Sequence, residues 1–224
     1  MKKIRRIRQY ATVVFLLACT IISGFGICTA PESDEKILEQ ELEQNALLLE
    51  QTQTAFAVPK ESSAQSQSAE TTTISVIGDS VFLGAAPAFQ KIQKNVVVNA
   101  KISRQVYHGI DVAKQMQKKG TLGNIVILSL GTNGNFNPAT GEELINYLGA
   151  NREIYWINVY GKNISWQKKV NKTIKDLAKK HKNLHVIDWA KTGKKHADWF
   201  YQDGTHLNTK GQEGFAKFIK KKIK

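Results

Sequence analysis

Five short apolar runs, each followed by a longer amphipathic stretch, constrain this chain more than any other feature. The runs are residues 74–77 (ISVI), 96–100 (VVVNA), 125–130 (IVILSL), 154–159 (IYWINV) and 184–187 (LHVI). The stretches 81–93, 108–119, 140–149, 166–182 and 209–223 carry apolar residues at helical spacing. A run that is apolar at nearly every position must be buried on both faces. Strands alternating with helices reach that state in a parallel sheet covered by helices on each side. The pattern predicts a three-layer α/β/α domain, flavodoxin-like, with a five-stranded parallel sheet over 74–224. Ligands of such sheets bind beyond the carboxyl ends of the strands. The turns that follow the apolar runs are therefore where chemistry should lie.

The residues before 74 read differently. Residues 1–10 carry five Lys/Arg and no acid, and the 17 residues from Ala11 to Ile27 carry no charge. This is the layout of a signal peptide or signal anchor, assigned to residues 1–30. Cations precede the apolar run and Glu32, Asp34 and Glu35 follow it, so the positive-inside rule places the rest of the chain outside. Three fates are open: a retained single membrane span, cleavage near Ala30, or a lipid anchor on Cys19 within Leu16-Leu17-Ala18-Cys19. Each leaves the domain at the extracellular face of the cell membrane or secreted to the cell wall. Both cysteines, Cys19 and Cys28, fall inside this segment, so no disulfide and no thiol nucleophile is expected in the exported part.

Residues 31–56 are predicted to form a helical stalk, with Leu38, Leu42, Asn45 and Leu49 on one short seam. Residues 57–73, rich in Ser, Gln, Thr and Glu, read as a flexible linker. Residues 71–224 hold 25 Lys/Arg against 10 Asp/Glu, a net charge of +15, within a chain whose total is +13. Outside a cell, such a charge either draws the domain to an anionic envelope or simply keeps it soluble. No nucleic-acid-binding motif accompanies the charge, so no nucleic-acid partner is expected.

Three turns carry candidate chemistry. Gly78-Asp79-Ser80-Val81 follows the first run and opens a helix, where backbone N–H groups favour developing negative charge. Asp203-Gly204-Thr205-His206-Leu207 precedes the last helix. An Asp and a His three apart on a tight turn can share one side, the carboxylate accepting the imidazole Nδ1–H and leaving Nε2 as a base. Gly131-Thr132-Asn133-Gly134 follows the third run and offers an Asn amide as an oxyanion donor. Each alone is also what a helix cap, an Asx turn or a glycine-rich turn looks like.

In chain order, G-D-S-V, then L-G-T-N-G (130–134), then D-G-T-H-L, the three blocks resemble the SGNH (GDSL-type) hydrolase superfamily over residues 74–224. The resemblance implies a catalytic triad of Ser80, Asp203 and His206, and an oxyanion hole of the Ser80 amide, Asn133 and an amide after the second strand. At that last place Ser103 stands where the family has glycine. The stretches S-R-Q-V (103–106), Trp166…Val170-Asn171-Lys172-Thr173, V-I-D-W (186–189) and F-Y-Q-D-G-T-H-L (200–207) further resemble the extracellular SGNH domain of peptidoglycan O-acetyltransferases. The implied activity is serine acyl transfer, moving acetyl groups onto cell-wall peptidoglycan hydroxyls through an acetyl-Ser80 intermediate, with a separate membrane protein as acyl donor. The same residues would serve an O-acetylesterase acting on cell-wall glycans. A basic cell-wall binding module without catalysis is the reading from a different class. No cofactor and no metal is expected, because His108, His181, His185 and His196 lack ligand spacing. Trp156, Trp166, Trp189 and Trp199 are read as core or cleft-wall aromatics, and Asp188 as structural.

Overall fold

The computed structural model describes residues 33–56 and 73–223. The expected signal segment 1–30 and residues 57–72 of the expected linker lie outside the described residues. Among the described residues no helix is long and apolar enough to cross a membrane.

Strands form where the apolar runs place them: β1 (Ile74–Gly78), β2 (Val96–Ala100), β3 (Ile125–Ser129), β4 (Glu153–Ile157) and β5 (Leu184–Ile187). They make one parallel sheet in the order β2-β1-β3-β4-β5. The helices are α1 (Asp34–Phe56), α2 (Ser80–Ile92), α3 (Gly109–Lys118), α4 (Pro138–Leu148), α5 (Gln167–Lys180), α6 (Trp189–Gly193) and α7 (Thr209–Lys222).

Side chains alternate across each strand and divide the core in two. Val76, Val98, Ile127 and Ile157 pack with Leu42 of α1, Phe82 and Phe89 of α2, and Phe215 and Ile219 of α7. Ile77, Val126, Leu128 and Trp156 pack with Met116 of α3, Leu144 and Leu148 of α4, and Ile174 and Leu177 of α5. Every residue of β1 and β3 is buried, as strands covered on both faces must be.

The order of the strands locates the chemistry. From β1 the chain steps outward to β2, then crosses back to β3 on the other side of β1. The carboxyl ends of β1 and β3 are thus neighbours at a switch point, with Gly78 paired to Ser129, the place where open sheets of this kind hold their ligands. The G-D-S and L-G-T-N-G blocks directly follow these two strand ends.

The helix expected as a stalk forms, but it does not stand away from the domain. Its predicted seam is turned inward: Leu42, Asn45 and Leu49 are buried, and Leu38 packs on the same cluster. The described residues from Asp34 onward form one unit. The stripe that could have met a second copy is filled by the domain itself, because burying it there removes the leucines from water with no association entropy to overcome.

Candidate active site

β1 ends at Gly78 and α2 starts two residues later. A Cβ on Gly78 would lie 2.8 Å from Phe82 Cβ and 3.3 Å from Ala100 Cβ, so only glycine lets helix and sheet approach this closely. Asp79 is the N-cap, its Oδ1 accepting from the Val81 amide at 3.1 Å. Ser80 becomes the first helical residue, 4 % exposed, where first-turn N–H groups lack intrahelical partners.

The D-G-T-H block is a small hairpin. Phe200 and Leu207 form an antiparallel bridge, and the Tyr201 amide donates to the His206 carbonyl at 2.9 Å. Gly204 sits at φ +65°, with Lys162 Cβ only 2.6 Å from where its own Cβ would be. Asp203 Oδ1 accepts from the Thr205 and His206 amides at 2.9 and 3.0 Å. Oδ2 remains for the imidazole, 2.5 Å from His206 Nδ1. On the other side of the ring, Nε2 lies 2.9 Å from Ser80 Oγ. With Nδ1–H donating to the carboxylate, Nε2 accepts the Ser80 hydroxyl proton. Burial alone would raise the Asp203 carboxyl, but the hydrogen bonds from the His206 ring and from the two amides outweigh it and hold it below the usual carboxylate range. It is a fixed anion at neutral pH, able to stabilise the imidazolium that proton removal creates.

The block after β3 is fastened from both sides. Asn133 Nδ2 donates to the Arg104 carbonyl at 3.3 Å, and Gln105 Nε2 donates to the Asn133 carbonyl at 2.6 Å. Trp166 Nε1 donates to the carbonyls of Gly131 and Thr132 at 3.3 and 3.2 Å. An Asn amide carries two N–H groups, and the Arg104 carbonyl takes one of those on Asn133. Trp166 is half-buried against the core cluster of this face, while Trp156 and Trp189 are fully inside the core. Asp188 caps α6, and Asn171 brackets the Val159 amide and carbonyl at 2.7 and 2.8 Å.

Ser103 takes φ +58°, the left-handed region. That conformation costs an L-residue with a Cβ on the order of 1 kcal/mol. Replacing Ser103 by glycine should therefore raise the melting temperature by about 2–4 °C. Turnover should stay within about twofold, since the backbone N–H is retained. A thermal melt paired with an acetyl-ester assay checks both.

Two buried charges here were not singled out from the sequence. Arg104 is 8 % exposed and donates to the carbonyls of Gly78 and Asn99 at 3.0 and 2.5 Å and to Asn99 Oδ1 at 2.7 Å. It ties the ends of β1 and β2 together, while its own carbonyl holds Asn133. Burial lowers the guanidinium to about 10, with the Asp79 charge pulling it back up. Asp79 is 0 % exposed, and burial pushes its carboxyl up to about 6 against the opposing pull of Thr132, the Val81 amide and His206. The only sequence signals were the S-R-Q-V stretch and the letter D of G-D-S, and neither reveals burial.

The Asp79 shift has a consequence for stability. Between pH 4 and 6 the folded chain binds more protons at this group than the unfolded chain, so stability falls as pH rises through that window and stays lower above it. A rise from 3.8 to about 6 corresponds to about 3 kcal/mol. Asp79→Asn keeps an acceptor for the Val81 amide and removes the charge. It should be about 1–3 kcal/mol more stable than the parent above pH 6, the difference closing towards pH 4. Urea melts across that range measure it.

Comparison with known proteins fits this geometry. No family model matches the chain. Bacillus subtilis YrhL, which carries a provisional peptidoglycan O-acetyltransferase name, is 30% identical over 148 residues, 66% of this chain and 23% of its own length. The Staphylococcus aureus O-acetyltransferase OatA is 31% identical over 147 residues, 65% of this chain and 24% of its own length. The chain thus spans about a quarter of the length of the curated relatives it matches. Among solved structures, the C-terminal catalytic domain of Streptococcus pneumoniae peptidoglycan O-acetyltransferase A, bearing a methylsulfonyl adduct, superposes with a TM-score of 0.59 at 21% identity. That match covers 67% of this chain and 91% of the other. A family 3 carbohydrate esterase from Talaromyces cellulolyticus gives a TM-score of 0.54 at 17% identity, covering 68% and 96%. At these identities the structures speak for the fold alone.

Proposed function

We propose that this chain, a member of the SGNH (GDSL-type) hydrolase superfamily, is a serine O-acyltransferase that moves acetyl groups onto sugar hydroxyls of cell-wall peptidoglycan. The observation that carries the reading is the continuous relay from Ser80 Oγ to His206 Nε2, 2.9 Å, and from His206 Nδ1 to Asp203 Oδ2, 2.5 Å. Its position at the switch point supports it, and the relatives, named as peptidoglycan O-acetyltransferase and O-acetyltransferase, support the acetyl group and the acceptor.

In this mechanism His206 Nε2 takes the hydroxyl proton as Ser80 Oγ attacks the acetyl carbonyl. The carbonyl oxygen becomes an oxyanion held by the Ser80 amide and Asn133 Nδ2, with the Ser103 amide as third donor. Collapse expels the donor alcohol, which receives the proton from His206, and leaves acetyl-Ser80. A sugar hydroxyl then gives its proton to Nε2 and attacks the ester; the same donors hold the second oxyanion, and its collapse breaks the bond to Ser80 Oγ, which takes the proton back from His206 as the acetylated sugar leaves. Asp203 remains ionised throughout and fixes the ring. The remaining elements of the proposal are a separate membrane protein as acyl donor, and a single span or lipid anchor holding the domain on the outer face of a bacterial membrane. The charge pattern of residues 1–35 supports the orientation.

Hydrolysis by the same relay is the second reading, favoured by the likeness in fold to a carbohydrate esterase. Water replaces the sugar in the second half-reaction and nothing else changes. The purified chain, given p-nitrophenyl acetate with and without a muramic-acid-containing glycan oligomer, separates the two. Acetylated glycan detected by mass spectrometry is the result expected, whereas free acetate with no glycan product assigns the chain as an esterase.

A further inference from the structure

We propose that α1 is a working part of the catalytic domain, in which Asn45 and Glu41 are positioning residues for the helix that carries Ser80 and for the hairpin that carries Asp203 and His206.

Pro87 lies inside α2 and has no N–H, so the Leu83 carbonyl four residues before it has no intrahelical donor. Asn45 fills that place from α1, its Nδ2 lying 3.3 Å from the carbonyls of both Leu83 and Gly84. The contact is buried, with Asn45 7 % exposed. A Cβ on Gly84 would sit 3.7 Å from Leu42 Cδ2, so the two helices meet closely beside it. Leu83 is one turn after Ser80. The polar residue on the α1 seam thus answers a defect that proline creates beside the nucleophile.

Glu41 lies one turn before Asn45 on the same face of α1. Its Oε2 accepts from the Tyr201 hydroxyl at 2.9 Å, and its Oε1 accepts from Gln212 Nε2 at 2.6 Å. Gln212 also donates to the Leu207 carbonyl at 3.0 Å. Tyr201 stands two residues before Asp203 and pairs through its amide with the His206 carbonyl. Leu207 directly follows His206. One carboxylate therefore braces the hairpin on both sides of the Asp–His pair. Burial and the Glu41 hydrogen bond push the Tyr201 phenol up to about 12, so it remains a donor at any working pH.

Both braces act on one distance. Ser80 is on α2, His206 is on the hairpin, and proton transfer requires Oγ and Nε2 to stay within hydrogen-bond reach. A helix serving only to cover apolar surface needs its leucines alone. α1 adds two polar side chains, and each ends on one of the two elements that hold the reacting atoms. The inference rests on the reading of Ser80, Asp203 and His206 given above.

The test uses the full chain carrying Glu41→Ala, Asn45→Ala or Tyr201→Phe. At a temperature well below each variant's melting point, kcat for p-nitrophenyl acetate should fall about tenfold while KM stays within about twofold. The rate of Ser80 modification by a sulfonyl fluoride should fall by the same factor, and Glu41→Gln, which keeps one acceptor oxygen, should recover part of the loss. Variants that melt earlier yet keep parental kcat and sulfonylation rate overturn the proposal and leave α1 a packing helix. Should Glu41→Ala fail to fold, Tyr201→Phe removes the same contact from the hairpin side, and parental kcat there overturns the proposal equally. An inert Ser80→Ala beside a fully active Tyr201→Phe defeats the positioning role alone. An active Ser80→Ala defeats the reading beneath it.

Discussion

Replacing Ser80 by alanine lowers kcat for an acetyl ester by on the order of 10⁴–10⁶-fold and leaves the fold in place. The size follows from what the hydroxyl does. In the proposed mechanism its oxygen forms the bond to the acetyl group, and alanine offers none. His206 and the oxyanion donors can then only assist water, which accounts for the residual rate. Stability should change little, because the Oγ contact to His206 at 2.9 Å is one hydrogen bond at the edge of the core. Combining Ser80→Ala with His206→Ala should cost no more than either change alone, since the two groups act as one unit. Steady-state kinetics with a melting curve for each variant checks all three statements.

Asp203→Asn lowers kcat by about 10⁴-fold, for a reason specific to this hairpin. Asp203 uses both oxygens: Oδ1 accepts the Thr205 and His206 amides, and Oδ2 accepts the imidazole Nδ1–H. An amide has a single oxygen. Kept at the backbone amides, it holds the hairpin together and turns its NH₂ towards Nδ1. The ring must then carry its proton on Nε2, which can no longer accept one from Ser80. Turned to the ring instead, the amide leaves two backbone donors without their acceptor and loosens the turn that presents His206. Either state is poorly active. Because the parental carboxyl titrates below the usual carboxylate range, Asp203 should remain ionised at neutral pH and above, and the loss should persist there. A kcat/KM profile against pH measures this.

The parallel sheet was legible because strands buried on both faces leave continuous apolar runs, and ISVI and IVILS are such runs. β4 ends at Ile157, two residues before its run of apolar residues stops. Asn158 turns out of the sheet there, accepting from the Ala190 amide at 2.7 Å and donating to Asp188 at 2.8 Å. That pairing is with α6, five residues long and too short to show a helical period in the sequence. α4 begins at Pro138 because Asn137 caps it, an Asn-Pro signal that was present to be read.

In the site, the three blocks were visible as motifs, whereas their supports were not. Asn45 looks like a coiled-coil residue until Pro87 is known to leave a carbonyl unsatisfied beside it. The link spans about forty positions and two helices, beyond any local periodicity. Arg104 and Asp79 look like surface charges. Only packing around the ends of β1 and β2 shows both to be buried, and burial is what shifts their protonation. The left-handed backbone at Ser103 was signalled only by the resemblance, in which glycine stands at that position, because serine itself carries no local sign of a conformation that glycine usually fills.

The central claim is an acetyl group resident on Ser80, and trapping it is the most direct measurement. The full chain is mixed with p-nitrophenyl acetate, quenched in acid within a turnover and digested for mass spectrometry. A parallel sample is chased with the muramic-acid-containing glycan before quenching. Acetyl should appear on the peptide containing Ser80, be absent in Ser80→Ala, and pass to the glycan during the chase. Acetylated glycan formed at an undiminished rate by Ser80→Ala, or acetyl carried on another residue and discharged from there, would contradict it.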